Sequence, residues 1–288
     1  MKIQFLGTAA AEAAPAVFCA CDHCRYAREK GGKEIRTRSG ALIDGKIKID
    51  FGPDSYAHSL QYGLDYSLLH SVLITHTHED HLNIDDLTLR RPPFGHLRPG
   101  DTPMTVYGNA RLGEMLAPHL CDCTKYQRMI PFETVDIEGY QVTALEAVHF
   151  LTRGDEKKYP VIHEGQEYYR AEEALFYLIE KDGESILYAH DTDEFTPADM
   201  DFLAGKKIDL ISLDCTNGKL NLDYVGHMGA RENLRMREKL MKNGAADEHT
   251  IFVANHFSHN GLLPYEELEK LVPGFIVSYD GLILETKK

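Results

Sequence analysis

The sequence predicts an α/β fold in which two mixed β-sheets lie face to face with helices on their outer faces. Three observations carry this expectation. Strand-like runs recur from the first residues to the last, they come in groups joined by tight-turn dipeptides, and segments of helical periodicity separate the groups. The chain of 288 residues, 43% hydrophobic and 26% charged, is long enough to hold a sizeable core within a single domain spanning 1–288.

MKIQFLGT, residues 1 to 8, alternates like a strand entering a core. SGALIDGKIKIDF, 39 to 51, gives two more alternating runs joined by Asp44-Gly45, a dipeptide suited to a tight hairpin turn. Further strand-like runs are VLIT at 72 to 75, MTVYG at 104 to 108, YQVTALEAV at 140 to 148, and the pair EALFYLIE and ESILYA hinged on Asp182-Gly183. IDLISLD at 208 to 214, TIFVAN at 250 to 255 and FIVSYDGLILE at 275 to 285, the last expected as a hairpin, complete the set. Helical patterns fall at 81 to 91, 109 to 118, 197 to 204, 229 to 243 and 264 to 271. Two polar segments, 90 to 103 and 152 to 173, are expected as loops, the second long enough to act as a lid or substrate wall.

The formal net charge of −14 disfavours an extended polyanion such as DNA or RNA as partner, while leaving a small anion at a metal site open. The opening segment resembles a signal peptide only superficially, because Gln4 and Glu12 interrupt its apolar stretch, and no run reaches membrane-spanning length. A cytoplasmic protein without a membrane partner is expected. The six cysteines are clustered rather than spread, which fits metal ligation or free thiols better than a disulfide framework.

The segment LITHTHEDHLNIDDL, Leu73 to Leu87, concentrates metal-binding residues just beyond a predicted strand. His76 and His78 stand two apart on extended chain and so point the same way. Asp80 and His81 follow where the chain turns, so the segment can feed two adjacent ions. Three more ligand-type residues each follow a predicted strand: His149, Asp191 and His256. Asp193 is a rival to Asp191, and His190 is expected to face the other way.

This pattern, HxHxDH followed by single His, Asp and His at strand ends, resembles the metallo-β-lactamase superfamily. The resemblance implies an αββα sandwich with a dinuclear centre at one edge of its sheets. It assigns His76, His78 and His149 to one ion, Asp80, His81 and His256 to the second, and Asp191 as the bridge, with Asp80 also counted among the catalytic residues.

FCACDHC adds Cys19, Cys21 and Cys24, three close thiolates that suit a soft tetrahedral ion with a fourth ligand from His259 or from His23. With NHFSH after the last strand-end ligand, the cluster resembles PhnP-like cyclic phosphodiesterases of the carbon-phosphorus lyase pathway. That resemblance implies a structural zinc on Cys19, Cys21, Cys24 and His259, two catalytic divalent ions (manganese, with zinc or iron as alternatives), and a proton-donating or phosphate-contacting His227. Arg36, Arg38 and Tyr224 are weaker phosphate-contact candidates. Cys121, Cys123, Cys215 and His58 receive no role. The expected activity is hydrolysis of small phosphodiesters, cyclic ones among them, by a metal-bridged hydroxide. The alternatives are hydrolysis of thioesters or lactones on the same fold, and tRNA 3′-end processing. A small phosphodiester is the expected partner molecule; the sequence is compatible with a homodimer but does not fix the oligomeric state.

Overall fold

The computed structural model describes residues 1–149, 159–163, 166–170, 173–222 and 226–286. One sheet contains β1 (Lys2–Gly7), β2 (Gly40–Ile43), β3 (Ile47–Ile49), β4 (Ser71–Leu73), β5 (Met104–Gly108) and β6 (Thr124–Arg128), with β16 (Ile283–Glu285) pairing back onto β1. The other, in spatial order, contains β15 (Ile276–Val277), β14 (Ile251–Asn255), β13 (Leu210–Asp214), β12 (Glu184–Ala189), β11 (Leu175–Lys181), β8 (Tyr140–Glu146) and β7 (Thr134–Ile137). Each is mixed: β3 to β6 run parallel and so do β12 to β15, while the hairpins β2–β3, β7–β8 and β11–β12 and the sequence-distant pairs β1–β2, β1–β16 and β8–β11 are antiparallel. The hairpin turns use the expected dipeptides, with Asp44, Gly45, Asp182 and Gly183 all at positive φ.

The central strands have both faces covered, which accounts for runs such as LFYLI that are apolar throughout. In β11, Tyr177 and Ile179 enter the layer between the sheets with Phe5, Ile49, Tyr188 and Val253. Their neighbours Phe176 and Leu178 face the opposite way, into a layer shared with helices α5 (Pro197–Leu203), α6 (Ala230–Lys242) and α7 (Tyr265–Leu271). A third layer packs α3 (Ile84–Thr88) and α4 (Ala110–Leu116), through Leu87, Leu112 and Leu116, against Val72 and Val106 on the outer face of the first sheet. The result is the helix-sheet-sheet-helix sandwich that the strand groups predict.

Four expectations need correction. The segment 152–173 is not loop throughout: Tyr159–His163 (β9) and Gln166–Arg170 (β10) pair as a separate antiparallel hairpin, and the rest of that segment apart from Glu173 lies outside the described residues. The helix expected at 81 to 91 is reduced to α3, because the preceding backbone is taken up elsewhere. His81 N and Leu82 N donate to His78 O, and Asn83 N donates to Phe51 O before the Asn83 side chain caps the helix. The run at 275 to 285 does not close as a hairpin. β15 joins one sheet and β16 the other, with Asp280-Gly281 crossing between them as Asp280 accepts hydrogen bonds from Thr8 and Thr37 and Gly281 N donates to Phe5 O. Finally, α1 (Asp22–Lys30) and α2 (Ser55–Tyr62) form where polar composition hides the helical period. Among the described residues, no helix is long and apolar enough to cross a membrane.

Helix α5 is tied to the sheet by a buried carboxylate. Asp199 accepts from Thr196 N (3.0 Å) and Thr196 Oγ1 (2.7 Å) in a capping box, and from Glu146 N (3.1 Å) at the end of β8. Asp199→Ala removes the carboxylate half of the capping box and strands two backbone donors, so a loss of about 2 kcal/mol is expected in urea unfolding at unchanged m-value.

Candidate metal centre

Strand ends place every member of the centre. The loop after β4 carries His76, His78, Asp80 and His81; His149 follows β8, Asp191 follows β12 and His256 follows β14. Asp50 follows β3, and Asp214 is the last residue of β13. Three of these residues, Asp50, Asp191 and His256, hold left-handed backbone with φ of 57°, 50° and 61°. Side-chain-bearing residues adopt that region at a cost of order 1–3 kcal/mol, so the surrounding contacts must over-determine it.

Two groups of donors face each other across Asp191. In the first, His76 Nε2 lies 2.8 Å and His149 Nε2 lies 3.3 Å from His78 Nδ1. Three ring nitrogens converging on one point cannot all be served by the protons available, whereas one cation accepts three lone pairs. In the second, Asp191 Oδ2 lies 2.5 Å from His81 Nε2 and 2.9 Å from His256 Nε2, and Asp80 Oδ2 lies 3.1 Å from His81 Nε2. His81 Nε2, His256 Nε2 and Asp191 Oδ2 are buried and make no hydrogen bond of acceptable geometry. Buried polar atoms are ordinarily satisfied, so these three fit a cation seated among them.

The electrostatics of the metal-free chain agree with this division. Burial, reinforced by neighbouring imidazoles, holds His76 well below the usual histidine range and His149 down to about 3, so these two rings are neutral. At His81 burial acts in the same direction but is overcome by Asp80, Asp191 and Asp50, which hold it well above that range. Burial would raise Asp80 and Asp191, yet neighbouring histidines hold Asp80 at about 2 and Asp191 well below ordinary carboxylates. In the second group, protons therefore occupy the positions a divalent ion would displace.

Outer partners orient the rings. Asp50, fully buried, accepts from Thr75 N (2.8 Å) and faces His81 Nδ1 (2.7 Å); Thr75 Oγ1 lies 3.1 Å from His76 Nδ1. Thr216 Oγ1 lies 2.8 Å from His256 Nδ1, and Gly226 O lies 3.3 Å from His149 Nδ1. His227 Nδ1 is 2.9 Å from Asp214 Oδ2 and 3.5 Å from Asp191 Oδ1. Burial opposes its ionisation, but Asp214, Asp191 and Asp80 raise it to about 9. Asp50 and Asp214 escaped sequence reading because each is a single carboxylate at a strand end, although the parallel with Asp191 was available as a signal.

The second cluster also closes in space. Cys19, Cys21, Cys24 and His259 bring their Sγ and Nδ1 atoms within 4.8 Å of one another, with His259 Nδ1 at 3.7 Å from Cys21 Sγ and 3.6 Å from Cys24 Sγ. Cys21 caps α1, and Cys24 Sγ accepts from Ala16 N. Hydrogen bonds from the Cys24 backbone and from His259 lower the Cys21 thiol to about 6, toward the thiolate a metal requires. His23 is outside this group.

Other candidates are placed differently. His190 turns away to Ser212 Oγ (2.7 Å), and Asp193 accepts from Gly226 N and Glu194 N. Arg36, 2% exposed, donates to Thr8 Oγ1 and Ser278 O and covers the Phe257 ring, so the expectation that it contacts substrate is withdrawn. Arg38 is held by Asp54 and by Ala11 O. Tyr224 lies outside the described residues.

Gly52 lets the ligand loop approach β3. A Cβ there would stand 1.9 Å from Asp80 O, too close for any adjustment short of moving backbone. Gly52→Ala is therefore expected to displace Asp80 and His81 and lower bound metal by about one equivalent per chain, measured by plasma mass spectrometry after dialysis.

Residues 46–260 match the family described as Beta-lactamase superfamily domain. A diphosphatase of the PhnP family superposes on 99% of this chain and 98% of its own at TM-score 0.70 and 24% identity. Zn²⁺-bound PqqB from Methylobacterium extorquens aligns over 99% of this chain and 100% of its own, at TM-score 0.68 and 19% identity. Human tRNase Z, short form, covers 100% of both chains at TM-score 0.63 and 16% identity. These likenesses concern the fold. An octanoyltransferase of Porphyromonas gingivalis is 37% identical over 92 residues, which are 30% of this chain and only 18% of that protein. With the family match spanning most of its length and a sandwich that superposes end to end on structures of the same fold, the chain belongs to the β-lactamase superfamily.

Proposed function

We propose that the protein is a dinuclear metal-dependent phosphodiesterase acting on small phosphodiesters. The observation that carries this reading is the position of Asp191 between two donor groups, with the Asp214–His227 pair against its outer oxygen. His76, His78 and His149 would hold one ion, Asp80, His81 and His256 the other, and Asp191 both. Divalent ions there supply Lewis-acid polarisation of a phosphoryl oxygen and acidify water. Mixed imidazole and carboxylate donors suit manganese, zinc or iron; manganese is our choice for this centre and zinc for the cysteine cluster. The superposition on a PhnP-family diphosphatase supports phosphorus chemistry over thioester or lactone hydrolysis.

The chain's own residues supply positioning and a proton. Asp214 faces His227 Nδ1, fixes the ring and favours its imidazolium form, in which Nε2 also carries a proton. That proton goes to the leaving alkoxide, and the product is a phosphomonoester. Asp80 holds its ion and, through His81, keeps the second donor group together. The four donors at the cysteine cluster leave no open position, so that ion braces the loop between β1 and α1 rather than reacting.

Manganese-loaded protein is expected to hydrolyse bis(p-nitrophenyl) phosphate and a 2′,3′-cyclic nucleotide. His76→Ala should abolish turnover, and His227→Ala should lower kcat by about 10²–10⁴-fold. Turnover of a thioester or lactone with none of either phosphodiester would replace the substrate class. Cys24→Ser should release one zinc per chain and lower the unfolding midpoint while the two catalytic ions stay bound, as read by metal content and calorimetric melting.

A further inference from the structure

Helix α2 carries His58, a buried residue for which the proposed chemistry has no use. His58 Nε2 is 2.7 Å from Thr37 Oγ1, and Thr37 Oγ1 is 2.6 Å from Asp280 Oδ2. An ionised carboxylate only accepts, so the Thr37 hydroxyl donates to Asp280 and its oxygen accepts from His58 Nε2–H. Asp280 also accepts from Thr37 N (2.6 Å) and, through Oδ1, from Thr8 Oγ1 (2.7 Å). Thr8 Oγ1 in turn accepts from Arg36, so its single proton is committed to Asp280. The hydrogen-bond directions along Arg36, Thr8, Asp280, Thr37 and His58 are thereby set. Gly7 allows this crowding: a Cβ there would meet Arg38 O at 2.0 Å and Thr37 Oγ1 at 2.7 Å.

At its far end, His58 Nδ1 is buried without a partner, and Tyr66 Oη is likewise buried and unpartnered. Lys48 Nζ, almost wholly buried, lies 5.5 and 5.9 Å from the Phe51 and Tyr66 ring centres and donates to Asp50 O at 2.6 Å. Burial, with the Lys48 charge acting in the same direction, keeps His58 neutral and its Nδ1 lone pair free to accept.

The Arg36 end of this chain reaches a residue of the second donor group. Thr8 O accepts from Phe257 N and Phe257 O accepts from Ala10 N, while Arg36 covers the Phe257 ring; His256 is the preceding residue. None of these contacts reaches His76, His78 or His149 directly.

On the two-ion reading above, we infer that Thr37 and His58 are positioning residues for the second ion alone: one buried polar chain, ending on the backbone and ring of Phe257, sets the placement of His256. Orienting groups outside a ligand shell change metal affinity by about 10–100-fold, which sets the size of the expected effect.

The test is manganese titration of the full-length, zinc-loaded protein by isothermal calorimetry, with melting followed in parallel. Thr37→Val removes the hydroxyl at nearly constant volume. It is expected to weaken the ion of the Asp80, His81 and His256 group about 10-fold and the ion of the three-histidine group less than 2-fold, with Thr37→Ser restoring wild-type values. The two binding steps are assigned with Asp80→Ala and His78→Ala references. His58→Phe, which removes the same donor from the other side, should reproduce the selective loss and serves if Thr37→Val does not fold. A lower melting temperature with unchanged affinities, or equal weakening of both ions, would overturn the selective role. Wild-type protein that binds a single manganese would instead overturn the two-ion reading itself.

Discussion

The Asp191 carboxylate is the constraint around which this fold is arranged. It is 4% exposed, its Oδ2 has no hydrogen-bond partner of acceptable geometry, and histidines that follow β4, β8 and β14, with His227 ahead of α6, surround it. A buried anion is tolerated only where opposite charge and directed donors compensate it. The sandwich provides that compensation by bringing the ends of β4, β8, β12 and β14 to one edge, so that loops from both sheets meet at one carboxylate. The left-handed backbone of Asp50, Asp191 and His256 reflects the same demand, since extended continuation of each strand would carry the side chain past its partners.

The overall charge of −14 contrasts with the local arrangement. Imidazoles outnumber carboxylates at the centre, and cations bound there would make it positive within an acidic surface. On the proposed reading, such a centre would attract a small anion more readily than a long one, since an overall charge of −14 repels a polyanion. The few buried basic groups do not contradict this. Arg36 and Lys48 donate inward, to Thr8, Ser278 and Asp50, and hold backbone instead of facing solvent.

Local pattern made the strands readable because period-two alternation and Asp-Gly turns depend on neighbours in sequence. The same locality explains the failures. The run ending in ILE at 283 to 285 looks like half of a hairpin until Asp280 is seen to be engaged by Thr8 and Thr37, residues far away in sequence. β6 and β7, polar edge strands, and α1, with its cysteine cap, carry too little periodic signal to separate from loop. Arg36 looked available because an arginine in the polar run RTRS is ordinarily exposed, and only the packing of Phe257 and Ser278 around it shows otherwise.

What the sequence determined by itself was the strand order of the chemistry: HTHEDH, then His149, Asp191 and His256, each just beyond an apolar run, together with three cysteines spaced for a soft ion. Ligand identity and strand endings are written in short segments, so they survive without a structure. Tertiary structure alone decided which residues face one another. It separated His190 from the centre, chose His259 over His23, brought Asp50 against His81 and Asp214 against His227, and joined Thr37 to His58. The physical reason is that a hydrogen bond between residues tens or hundreds of positions apart leaves no periodicity behind. It exists only once the two sheets have closed on each other and water has been excluded between them.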